Sequence, residues 1–89
     1  MIMELLTLRP TLRDFSSECE RVLRENDYKG GWDGAPEGFL IEGIRDNVWN
    51  LEDNKITIEN FLKSCLDIAN YAMMIWDNNR ENRIIEAEK

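Results

Sequence analysis

The stretch TIENFLKSCLDIANYAMMIW, residues 57–76, decides the fold of this chain. Ile58, Phe61, Leu62, Cys65, Leu66, Ile68, Ala69, Ala72, Met73 and Ile75 recur at helical spacing and cover more than one face. A helix of that kind belongs at the centre of a bundle, and Thr57 stands where its N-cap is needed. The rest of the chain supplies two partners. Leu12, Phe15, Cys19, Val22 and Leu23 form the stripe of a first helix, from about Thr11 to about Asn26. Pro10 fits its boundary, and Thr11 with Asp14 offers a capping-box-like start. Leu40, Ile44, Val48 and Leu51 mark a second helix, with Pro36 in its first turn and an end near Asp53. Asn54 and Lys55 then turn the chain. Gly43 lies inside this second helix, where glycine costs about 1 kcal/mol relative to alanine. A glycine there permits close approach of another helix or of a ligand.

The expected fold is therefore all-α, with three main helices. Residues 1–10 read as an N-terminal arm or short helix, because Ile2, Leu5, Leu6 and Leu8 are apolar enough to dock. Residues 11–80 form the helical domain, and 81–89 a solvated tail. Eighty-nine residues build a thin core, so self-association into a dimer or larger species is expected. The apolar fraction of 43% excludes a disordered chain. A net charge of −7 with no basic stripe argues against DNA or RNA as partner, but leaves room for a small nucleotide held by a few local donors. With no histidine, no His-based triad, metal site or proton shuttle is available. Cys19 and Cys65 are too few and too far apart for a metal motif or disulfide framework and read as reduced core thiols. No signal peptide and no membrane-length apolar run is present, so no membrane partner and a cytoplasmic location are expected.

Two features exceed what a bundle needs. The first is DYKGGWDGAPEGF, residues 27–39, which holds four of the five glycines beside Lys29 and Trp32. Glycines let backbone N–H groups approach a phosphate, a lysine supplies a cation, and an indole offers a flat face for a base. The plainer alternative is that Trp32 plugs one end of the bundle while the glycines turn the chain. The second feature is polar. Asp46, Asn47 and Asn50 sit at i, i+1 and i+4 on the second helix, and Ser64, Asp67 and Asn70 at steps of three on the third. Antiparallel helices joined by a short turn bring the two sets face to face. Such groups either satisfy one another and fix helix register, or await a polar ligand.

Lys29-Gly30-Gly31-Trp32, followed by an acidic helix and then Asp67-Ile-Ala-Asn70-Tyr-Ala-Met-Met, resembles the short MazG-like proteins of bacteriophages. These belong to the all-α nucleoside triphosphate pyrophosphohydrolase superfamily. The resemblance runs from about Val22 to Asn78. It implies a dimeric or tetrameric MazG-like bundle, a pocket between subunits, and a phosphate-binding role for Lys29, Gly30, Gly31 and Trp32. In that superfamily an EExxE motif and an ExxD motif on successive helices bind magnesium. Here those positions read Asp46-Asn47-Val48-Trp49-Asn50 and Ser64-Cys65-Leu66-Asp67. Asn47, Asn50 and Ser64 are neutral, leaving Asp46 and Asp67 as the acids for at most one weak, water-rich magnesium ion. Amides and a hydroxyl keep a pocket polar without the mutual repulsion of clustered carboxylates.

The resemblance thus implies a nucleotide-binding MazG-like protein with little or no hydrolysis. Its expected ligand is a nucleotide or cyclic nucleotide, and its ligand residues are Lys29, Gly30, Gly31, Trp32, Asn47, Asn50, Ser64 and Asn70. If phage-encoded, such a binder would act in the host cytoplasm and sequester a nucleotide signal of antiviral defence. Two alternatives stand beside it: a magnesium-dependent NTP or dNTP pyrophosphohydrolase, and a helical interaction module with no small ligand.

Overall fold

The computed structural model describes the backbone of residues 7–88 and the side chains of residues 7–80. All regular structure in this range is helical: α1 spans Pro10–Glu25, a 3-10 turn Asp27–Lys29, α2 Glu37–Glu52 and α3 Ile58–Glu88. Of the arm or short helix expected at residues 1–10, residues 1–6 lie outside the described residues; residues 7–9 are not helical, and Pro10 already belongs to α1. The tail expected at 81–89 continues the backbone of α3 as far as Glu88, so α3 has 31 residues and is about 46 Å long.

The helix ends follow their sequence signals at some points and depart at others. Thr57 Oγ1 accepts from Asn60 N–H at 3.1 Å, the expected N-cap of α3. Pro36 caps α2 through its carbonyl, which accepts from Phe39 N–H and Leu40 N–H. Between α2 and α3, Asp53 Oδ1 accepts from Lys55 N–H at 3.0 Å, and Asp53 O from Ile56 N–H. That is the Asx-type turn Asp favours. The capping box expected at Thr11 and Asp14 does not form. Pro10 enters the first turn of α1 and Arg9 takes the cap position without a side-chain bond. With Pro10 removing one unpaired donor, the helix starts one residue earlier than the Thr11 reading.

Both α1 and α2 pack on α3, which is therefore the central element, as its apolar surface on two faces implies. The α2–α3 seam is close at one point. A Cβ on Gly43 would fall 2.6 Å from Tyr71 Cζ and within 2.9 Å of both Cε atoms, so the Tyr71 ring lies against the bare backbone of α2. On the other side of α3, Asn70 Nδ2 donates to Cys19 O of α1 at 3.2 Å. Val22 of α1, Leu40 of α2 and Leu66 of α3 are the buried apolar side chains, and Ser64 and Asn70 of α3 the buried polar ones. This is a small core for three helices. Trp49 is 79% exposed, Ile58 73%, Phe39 66% and Leu62 57%, although the last three lie on or beside the apolar stripes. The radius of gyration is 15.2 Å, against about 12 Å for a close-packed chain of this length. The single chain leaves much apolar surface facing outward.

The Gly43–Tyr71 contact makes a testable demand. Gly43→Ala should destabilise the fold by about 1–3 kcal/mol, because the methyl must displace the ring. In a Tyr71→Ala background the same change should instead stabilise by up to about 1 kcal/mol through helix propensity. Urea unfolding of the four proteins of this cycle measures both signs. A destabilisation that persists without the ring would place the constraint elsewhere.

Candidate functional site

The loop between α1 and α2 is fixed to α3 by its tryptophan. Trp32 Nε1 donates to Asp77 Oδ2 at 3.0 Å, and Trp32 O accepts from Asn78 Nδ2 at 3.0 Å. Asp77 is held in turn by Arg80 Nε at 2.9 Å, and Asn79 Nδ2 reaches Glu37 Oε1 at the start of α2. The glycines serve the path of the backbone. Gly30 has φ 91° and ψ 176°, a combination almost confined to glycine, and its N–H donates to Asp27 O. The indole nitrogen of Trp32 is thus committed to loop anchoring, which joins the two readings of this residue: it lines a concavity and also secures the bundle end.

That concavity, of about 480 Å³, opens between the end of α1, the loop, the start of α2 and the middle of α3. Lys29, Gly30, Gly31 and Trp32 border it on the loop side, and Asp67 and Asn70 on the α3 side. Lys29 forms no ion pair among the described residues; its Nζ lies 5.7 Å from the centre of the exposed Tyr28 ring. Asn70 is 6% exposed, and with Nδ2 spent on Cys19 O its Oδ1 remains for the concavity. Phe39 and Tyr71 add aromatic surface.

Asn47, Asn50, Ser64 and Asp67 come together in a second concavity of about 380 Å³, near the α2–α3 turn. Asn47 Nδ2 is already bonded to Gly43 O at 2.8 Å. Asp46 lines neither concavity and is exposed. The polar residues therefore do not form one facing pair of stripes. At about 100° per residue, Asp46 points a quarter-turn away from Asn47, and two steps of three carry Asn70 about 120° from Ser64. Asp67 stands between them and borders both concavities.

The two acids expected to hold magnesium, Asp46 and Asp67, do not line a common concavity. Asp67 Oδ2 is paired with Lys63 Nζ at 3.2 Å, and Asp46 is turned away. Among the described residues no group of three or more His, Cys, Asp or Glu is placed to hold a metal. An ion at Asp67 would first have to displace an ammonium group. The thiols of Cys19 and Cys65 are free and half-buried. Burial, and then the neighbouring Glu18 carboxylate, push the Cys19 thiol above its ordinary value, which keeps it protonated. No helix among the described residues is long and apolar enough to cross a membrane.

The residues of the first concavity that the sequence reading did not assign to a site include Asn26, Phe39, Lys63 and Tyr71. Lys63 had a usable signal, since it lies four residues before Asp67 on one helix. Tyr71 had another, since Gly43 called for a close neighbour. Comparison with protein-family models, with curated proteins and with solved structures finds no match to this chain. The site is therefore read from its own residues and from the motifs quoted above.

The anchoring role of Trp32 can be measured directly. Trp32→Phe keeps an aromatic ring, though a smaller one, and removes the bond to Asp77; the lost bond should cost about 0.5–1.5 kcal/mol of stability. It should also speed proteolytic cleavage within residues 29–36, while α1 and α3 keep their helicity. Unchanged cleavage would show that the loop is held without the indole N–H.

Proposed function

We propose that this chain is a nucleotide-binding MazG-like protein that hydrolyses its ligand little or not at all. The observation that carries the reading is Lys29. Among the described residues it is a cation without a carboxylate partner, at the rim of a concavity walled by a buried amide and the aromatic side chains of Trp32, Phe39 and Tyr71. A phosphate would meet Lys29 and the glycine backbone, and a base would lie against Phe39 or Tyr71. Asn70 Oδ1 would accept from an exocyclic amine or a sugar hydroxyl. Such a pocket takes a nucleotide or a cyclic nucleotide. The Lys63–Asp67 pair in its wall, with neutral Asn47, Asn50 and Ser64 in the neighbouring concavity, favours retention of the ligand over metal-assisted cleavage. In the bacteriophage setting the resemblance suggests, retention without turnover would sequester a nucleotide signal of host antiviral defence, a role reached by analogy.

We further propose that the protein works as a dimer or larger assembly of itself. Support comes from Trp49, Ile58, Leu62 and Phe39, large apolar side chains left exposed by the single chain. Phe39 also borders the concavity, so a second copy covering it would help close the site.

Calorimetry with nucleotides and cyclic nucleotides tests the binding reading. Lys29→Ala should weaken binding by about ten- to hundredfold, the loss of one charge-assisted contact. Helicity and melting should barely change, since Lys29 is exposed on a loop. Equal affinity of variant and parent for every ligand would reduce the loop to a turn. Light scattering at micromolar concentration tests assembly, and a monomer of 10.5 kDa would exclude it.

A further inference from the structure

The Lys63–Asp67 pair borders both concavities, and it fixes how much positive charge the first one can offer. Lys63 and Asp67 are one turn apart on α3, with Nζ and Oδ2 at 3.2 Å. Their exposures are unequal. The Lys63 side chain is 63% exposed and reaches outward, whereas Asp67 is 22% exposed and forms part of the wall. Among the described residues, the charged side chains that line this concavity are Lys29, Lys63 and Asp67. Since Asp67 neutralises Lys63, Lys29 is the one of these three left uncompensated.

We infer that Asp67 is a specificity-determining residue, which disfavours nucleoside triphosphates relative to monophosphates by holding Lys63 and cancelling its charge. The inference rests on the reading of this concavity as a nucleotide site. Its physical basis is that the attraction between a free ammonium group and a ligand grows with the ligand's charge, and that the attraction of Lys63 is cancelled by its partner. The first phosphate meets Lys29. Each added phosphate meets no further free cation among the described residues. Without a bound metal to offset that charge, the chain discriminates by phosphate number. Asp67 thus takes up a lysine at a position where a hydrolase of the resembled kind would bind magnesium.

The test titrates the full chain with AMP, ADP, ATP, GMP, GDP and GTP by calorimetry, in chelator so that no magnesium contributes. Asp67→Asn preserves shape and releases Lys63. It should tighten triphosphate binding by about tenfold or more relative to monophosphate binding. In the double variant Lys63→Gln/Asp67→Asn, only Lys29 remains, and the ratio should return to that of the parent. Lys63→Gln alone leaves Asp67 unpaired and should weaken triphosphates more than monophosphates. A ratio unchanged by Asp67→Asn overturns the inference, as does a gain that survives in the double variant. Both results leave the nucleotide site standing. If neither the parent nor any variant binds any of the six nucleotides, the site itself is rejected and the inference falls with it.

Discussion

Tyr71 lays its ring across Gly43, and a Cβ at that position would meet the ring, which would have to shift. The contact joins α2 to the middle of α3, the two helices that also contribute Leu40 and Leu66 to the small core. The Tyr71 ring also borders the first concavity, so the same side chain both packs and lines the candidate site. A glycine inside a helix costs stability relative to alanine. That cost is offset by a contact on which the seam and the site both depend.

The second constraint is the shortage of buried surface. Val22, Leu40 and Leu66 cannot alone balance the ordering of three helices, given the entropy lost per residue on folding. The exposed Trp49, Ile58 and Leu62 represent apolar surface that a second copy would remove from water, at roughly 25 cal/mol per Å². The hydrogen bonds that bind the loop to α3, through Trp32, Asp77 and Asn78, act differently. They position the backbone of residues 29–32 without adding to the core. Loop anchoring thus serves geometry, and does not make up for the thin core of the described residues.

How far the structure could be read from sequence depended on the kind of signal. The three helices, the Thr57 cap and the central place of α3 were legible because each rests on a local period or a single side chain. The Thr11–Asp14 capping box was misread, since Pro10 could enter the first turn and move the start of α1. The length of α3 beyond Trp76 was not legible either. Asp77, Asn78 and Asn79 look solvated in sequence, yet all three bond to the loop or to α2. Partners 42 to 46 residues away leave no periodic trace. The expected site residues are divided between two concavities. Lys29, Asp67 and Asn70 do converge, but treating Ser64, Asp67 and Asn70 as one stripe overlooked the drift of about 60° per three residues. That drift divides them between two concavities.

The same drift explains why Asp67 has a different task from the acids it resembles. A carboxylate can serve a hard divalent ion when others converge on it at octahedral positions. Here Asn47 and Asn50 lack the charge, Asp46 is turned outward, and Lys63 is one helical turn from Asp67. An isolated carboxylate in a half-sheltered wall would repel phosphate if left bare. Paired with Lys63 it is tolerated, and the pair adds little net field to the concavity.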